Sequence, residues 1–212
     1  MTIQHILLIT LTLYIGTACT SEKKESPQLQ AINFGKLPAI SQEGAYTAVI
    51  EIPAGTTAKR EYSYAHNNFP IDIKNDRPRY IDFIGYPGNY GFIPGTLMNE
   101  EQGGDGDALD VLVLGKPLPT SSYLYIEPIA IIQLLDNGEQ DDKLIAVPLD
   151  DSLKTINAHT FDELIMRYPA VQQIIEIWFA NYKGAGEMQV IGWQNEVLAK
   201  EAIEKWLVRK NN

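Results

Sequence analysis

Cysteine and histidine are almost missing from this chain. Its 212 residues include one cysteine, Cys19, and three histidines, His5, His66 and His159. A single thiol excludes an internal disulfide framework and any cysteine-based zinc cluster. No two histidines stand close enough in sequence to make a His-x-x-x-His metal pair. Positive charge is scarce as well. The 17 Lys and Arg face 27 Asp and Glu, a formal net charge of −10 at pH 7. That balance argues against a nucleic-acid binder, which needs a basic face. A bilayer-spanning run is also lacking. The apolar stretch at residues 6–15 is about half of the roughly 20 residues that a spanning helix needs. The chain is not short of core-forming residues. At 45% hydrophobic and 21% charged it has an ordinary globular composition, and its length suits one domain with a buried core. What remains for chemistry is carboxylates, lysines and tyrosines.

The apolar stretch fits the hydrophobic part of a secretory signal. Gly16, Thr17 and Ala18 follow it, then Cys19, and the chain turns polar at once. This resembles a bacterial lipoprotein signal. Residues 1–18 would be removed, Cys19 would carry the lipid, and residues 19–31 would form a flexible tether. Residues 32–212 would form one domain, held outside the cytoplasm by a membrane anchor on the periplasmic side or the cell surface. A start site read too early would instead leave a cytoplasmic protein.

Strands are expected at residues 46–52, 110–114, 123–135 and 143–147, each rich in β-branched residues and bounded by Gly, Pro or Asp. In the first, Tyr46, Ala48, Ile50 and Ile52 alternate with Val49 and Glu51. Residues 188–191 are a weaker strand candidate. Thr160 to Glu163 fits a capping box, and Pro169 can open a helix at its first position. Val171, Ile174, Ile175 and Trp178 then recur at helical spacing, ending near Gly184. Asn195 can cap a last helix with Leu198, Ala202 and Trp206 on its apolar face. A β core followed by helices, without regular β–α alternation, favours a barrel or antiparallel sheet over a doubly wound fold.

The densest acidic feature is Asp105, Asp107 and Asp110, three carboxylates within six residues, with Gly103, Gly104 and Gly106 to let the backbone turn tightly. Carboxylates this close repel unless a cation or protons intervene, and oxygen-only ligands suit hard ions such as Mg²⁺. The segment is not an EF-hand, because positions 5, 6 and 12 are Leu109, Asp110 and Lys116. A second acidic group, with Asp136 and Asp141, lies between two apolar runs and holds the turn signal Asn137-Gly138. As a hairpin loop it could bring both aspartates and Lys143 near the first cluster. A third feature is a set of cations and phenols. Glu51 and Glu61 stand around Lys59, Arg77 and Arg79 flank Pro78, Tyr86 and Tyr90 lie in a turn-rich stretch, and Tyr182-Lys183 closes the candidate helix. Each feature alone also has a plainer reading, as solvated turns or, for Tyr86, Tyr90 and Phe92, as core packing.

Together these residues resemble the soluble (family I) inorganic pyrophosphatases, from about Tyr46 to Trp193. The most specific element is Asp105-Gly106-Asp107-Ala108-Leu109-Asp110, which fits the family signature except at Ala108, where Pro is usual. Around it, in the family's order, stand Glu-Ile-Pro with its downstream Lys and Glu, Tyr-Pro-x-Asn-Tyr-Gly, the Asp136 to Lys143 loop, and the late Tyr-Lys. Arg60 stands where Tyr is usual, and no lysine follows Lys183 before Lys200. The resemblance implies a mainly β, α+β fold: a five-stranded OB-type barrel with flanking C-terminal helices. It implies Mg²⁺-dependent cleavage of pyrophosphate to two phosphates, with several ions per site and a metal-activated water. Asp105, Asp110, Asp136 and Asp141 would be metal ligands, Asp110 bridging two ions. Asp107 would orient and deprotonate the water. Lys59, Arg79, Tyr182 and Lys183 would bind the phosphates, with Lys143 among them and Tyr90 a further contact. Arg77 competes with Arg79 for the arginine role. Glu51, Glu61 and Tyr86 would support these groups from behind. Relatives in bacteria are often hexamers, so a homo-oligomer is one expectation. Two other readings use the same residues: a hydrolase of another phosphoanhydride or phosphoester, and a metal-binding lipoprotein without activity.

Overall fold

The computed structural model describes residues 32–184 and 186–208. The signal-like stretch and Cys19 lie outside the described residues. The chain runs through β1 (Tyr46–Ile52), the short pair β2 (Ile73–Lys74) and β3 (Arg77–Pro78), β4 (Asn89–Phe92), β5 (Asp110–Val113), β6 (Ser122–Asp136), β7 (Glu139–Gln140) and β8 (Lys143–Pro148). Helices α1 (Phe161–Arg167) and α2 (Pro169–Asn181), strand β9 (Met188–Asn195) and helix α3 (Glu196–Trp206) follow. Strands β1, β4, β5, β8 and β6 are hydrogen-bonded in that order, and β6 pairs back to β1. Five strands therefore close a ring, the expected OB-type barrel with helices after it.

Ring closure depends on β6. Its first residues pair with β1, its middle with β8, and its last seven with β9. Register shifts between Pro128 and Ala130 and between Gln133 and Leu134 bend it across these partners. Pro128 has no N–H for the ladder, so the first interruption falls where the sequence cannot supply a bond. Strands β5 and β8 pair in parallel and are buried on both faces, and so they read as continuous apolar runs. Val111, Val113, Leu144 and Ala146 belong to one apolar cluster with Ala199, Ile203 and Trp206 of α3. Leu112, Leu114, Ile145 and Val147 belong to another, with Leu164 of α1 and Ile175, Trp178 and Phe179 of α2.

Three expectations need correction. A register shift in β1 between Ile50 and Ile52 breaks the simple alternation. Ala48 and Ile50 sit in the α3 cluster, whereas Ile52 joins the α1–α2 cluster. In α2, Ile175 and Trp178 are buried but Ile174 is 52% exposed. In α3 the buried stripe is Ala199, Ile203 and Trp206, and Leu198 is 42% exposed. The helix starts themselves are as expected. Thr160 Oγ1 accepts from Glu163 N at 3.1 Å, although the Glu163 carboxylate reaches back to His159 N rather than to Thr160. Asn195 Oδ1 accepts from Val197 N and Leu198 N.

Candidate active site

The loop before β5 is closed on itself by backbone bonds. Met98 N donates to Asp107 O at 2.7 Å and Gly106 N to Met98 O at 2.8 Å. Gly106 has φ +84, a left-handed conformation that favours glycine. Asp105 Oδ1 accepts from Asp107 N at 3.0 Å, which fixes the two carboxylates relative to each other. Asp110 opens β5. The parallel pairing sets it beside Lys143, the first residue of β8, and the antiparallel pairing sets it opposite Phe92 of β4. From that register Lys143 Nζ reaches Asp110 Oδ2 at 2.5 Å and also bonds Asp141. Tyr90 of β4 donates its hydroxyl to the same Asp110 oxygen at 2.5 Å.

The second acidic group arrives by a hairpin. Asn137 and Gly138 both have positive φ, 51 and 92, the geometry of a two-residue turn between twisted strands. Asp136 ends β6 and pairs with Lys183, which follows α2. Lys59 lies 3.5 Å from Glu61 and 5.4 Å from the Tyr90 ring centroid. Arg79 pairs with Asp72 at 3.2 Å.

These side chains face one another across one cavity of about 190 Å³. Asp105, Asp107, Asp110, Asp136 and Asp141 line it together with Lys59, Arg79, Lys143, Lys183, Tyr90, Tyr182 and Glu61. Glu51 lines an adjoining cavity of about 180 Å³ that shares Lys59, Asp107 and Asp110, and Ala108 is on its wall. Tyr86 is 2% exposed and packs between Tyr90 and Trp178. The structure thus gathers the expected aspartates, cations, Tyr90, Tyr182 and Glu61 on one wall, with Glu51 in the adjoining cavity and Tyr86 packed behind Tyr90. Arg77 lines none of the described cavities, and neither does Arg60, which donates to Phe69 O at 2.8 Å. The wall also holds Glu139, which was not expected. Its pairing with Asp136 carries it there, and a lone Glu in a turn gives no local signal.

Burial and crowding shift these groups. Burial pushes Asp105 up to about 6, and Asp141 and Asp110 add to the effect. Asp107 is raised by burial and then by Asp110. Glu51 is pushed up to about 8 by burial, against the pull of Lys59. Burial works against the charge of Asp141, but Lys143 outweighs it and holds that carboxyl below its ordinary value. Burial likewise opposes the charge on Lys143, and Asp110 and Asp141 hold it well above its ordinary value. Tyr90 and Tyr182 are raised by burial, so both remain hydroxyl donors at neutral pH.

The donor set is oxygen only, which fits a hard divalent cation. Among the described residues no three carboxylates are grouped to hold an ion; Lys143 bridges Asp110 and Asp141 instead, and Lys183 pairs with Asp136. A cation would offset the burial, and the smaller carboxylate repulsion, that raise Asp105 and Asp107.

Residues 48–211 match the family model described as inorganic pyrophosphatase. The inorganic pyrophosphatase of Neisseria meningitidis serogroup A is 34% identical over 171 residues, covering 77% of this chain and 89% of that protein. The inorganic pyrophosphatase of Saccharolobus solfataricus is 38% identical over 169 residues, covering 76% and 89%. Among solved structures, an inorganic pyrophosphatase from Neisseria gonorrhoeae superposes with a TM-score of 0.66 at 31% identity, covering 82% of this chain and 96% of that one.

Proposed function

Because the chain belongs to the inorganic pyrophosphatase family and hydrolyses pyrophosphate, we propose that it does so with Mg²⁺ at the aspartate-lined cavity. The observation that carries this reading is the gathering of five aspartates, four cations and two phenols on one cavity wall, drawn from residues far apart in sequence. In this reading Asp105, Asp110, Asp136 and Asp141 hold the ions. Bound Mg²⁺ supplies positive charge and a water acidified enough to attack at neutral pH. Asp107 is not among these ligands and takes a proton from the attacking water; burial, which raises its proton affinity, suits a base working near neutrality. Lys59, Arg79 and Lys183 neutralise charge on the phosphates, and Tyr182 donates a hydrogen bond to them. Lys143 and Tyr90 orient Asp110 through the two bonds to its Oδ2. Glu61 holds Lys59, and Glu51 and Tyr86 pack behind.

The test is phosphate release from pyrophosphate. Turnover should need added Mg²⁺ and stop with a chelator. Undiminished turnover after exhaustive chelation would defeat the metal assignment. Faster cleavage of nucleotides than of pyrophosphate would favour a different phosphoanhydride as substrate.

We also propose that Cys19 carries lipid and anchors the enzyme outside the cytoplasm. Support comes from the sequence: its only cysteine follows, after Gly16, Thr17 and Ala18, an apolar run too short to span a bilayer. Cys19→Ala should abolish metabolic labelling with palmitate and release the protein from the membrane fraction. Wild-type protein found wholly in the soluble cytosol would refute the anchor.

A further inference from the structure

Beside the aspartate cavity opens a larger one of about 440 Å³, and the two share Arg79, Asp136, Tyr182 and Lys183. Asp107 and Asp110 line the inner cavity and the one that holds Glu51, but not this outer one. An attacking water held near Asp107 must approach in line with the bond that breaks. The far end of pyrophosphate, the phosphate that leaves, therefore lies toward the outer cavity. Lys74, the second residue of β2, is on the wall there.

The hairpin that carries Lys74 is tied to the residues facing the substrate. Lys59 N donates to Arg79 O at 3.0 Å, Asp72 N to Lys59 O at 2.8 Å, and Arg79 N to Asp72 O at 2.8 Å. At the hairpin tip, Asn75 and Asp76 have φ 53 and 59, matching the strand twist as two-residue turns do. The position of Lys74 is thus linked through backbone to those of Lys59 and Arg79. Its pairing sets it apart. Arg79 is paired with Asp72 and Lys183 with Asp136, whereas Lys74 has no carboxylate partner among the described residues. A paired cation must share or release its partner to take an anion, and an unpaired one need not.

We propose that Lys74 binds the leaving phosphate of pyrophosphate, as a substrate-binding residue additional to Lys59, Arg79 and Lys183. The inference rests on the reading above and extends it to the outer cavity. An exposed ammonium adds a modest, salt-screened attraction, so the effect belongs in affinity.

The experiment compares wild type, Lys74→Ala and Lys74→Arg as full chains with Mg²⁺. Turnover of pyrophosphate is measured alongside calorimetric binding of inorganic phosphate. Lys74→Ala should raise KM about fivefold, leave kcat within about twofold, and weaken phosphate binding by a similar factor. Lys74→Arg should restore both, and the gap should shrink at high salt. Wild type that turns over pyrophosphate, with Lys74→Ala unchanged in KM and phosphate affinity, overturns this inference alone. A drop in kcat without a rise in KM also overturns it. Wild type that neither cleaves pyrophosphate nor binds phosphate overturns it together with the reading on which it rests.

Discussion

Asp107 and Asp110 are three residues apart yet sit in different company, and that difference sets their proposed roles. Asp110 accepts from Tyr90 and Lys143, whereas Asp107 is linked to the loop through its backbone N–H to Asp105. Asp107→Asn keeps the shape and removes the base, so kcat should fall about 10²–10⁴-fold without rescue by extra Mg²⁺. Asp110→Asn should instead lower Mg²⁺ affinity, with turnover partly restored as Mg²⁺ is raised. A Mg²⁺ titration of both variants separates the roles, and the opposite pattern would exchange them. Glu51 provides a test through pH. Its carboxyl is buried, accepts Tyr62 N–H at 2.7 Å and is pushed up from 4.5 to about 8. The folded chain thus binds this proton more tightly than the unfolded chain does. Its contribution to stability is complete below 4.5 and is lost as pH rises through about 8. With chelator present, the urea midpoint should fall across that window, and Glu51→Gln should flatten the fall. Equal slopes in both proteins would show that Glu51 is not the group responsible. At this scale the sequence is most informative where chemistry is dense. Asp105, Asp107 and Asp110 advertise themselves by spacing, while the burial that raises Glu51 comes from neighbours remote in the chain.

Strand β4 shows why an element can escape a sequence reading. Its four residues, Asn89–Phe92, lie between Pro87 and Pro94 and contain a glycine, and such composition reads as turn. Gly91 is there because β1 comes too close for any side chain: a Cβ would lie 1.8 Å from Val49 O. Gly91→Ala should therefore separate β4 from β1 and lower stability by about 4 kcal/mol or more, beyond the range of most substitutions. Chemical denaturation checks this, and a loss within 1 kcal/mol would mean that the two strands part easily. Long elements with strong caps were legible, among them β1, β6, β8 and the starts of α1 and α3. The buried face of α3 was not, because Leu198 and Ala199 fit helical spacing equally well and only contact with β6 selects between them. The face change at Ile52 follows from a register shift that only the partner strand β4 reveals.

Across the whole molecule, the inner cavity collects an excess of acids within a chain of net charge −10. A multiply charged anion should be repelled until cations arrive. Calorimetry with chelator should show no measurable pyrophosphate binding, and Mg²⁺ should restore it; tight binding with chelator would mean that the lysines and Arg79 suffice. The closure of β6 onto β1 has a consequence in time. Tyr46 pairs with Ile126, and the pairs Asp110–Lys143 and Asp136–Lys183 span 33 and 47 positions. No short stretch of chain builds the site, so a nascent chain remains inactive until residues as late as Lys183 are available. Distant pairings of this kind slow folding, since loop entropy is lost before contacts compensate. After dilution from denaturant, recovery of hydrolysis should coincide with barrel closure and trail the first helical signal from α2. A cut in the chain between β5 and β8 should separate Asp110 from Lys143 and leave neither fragment with measurable turnover.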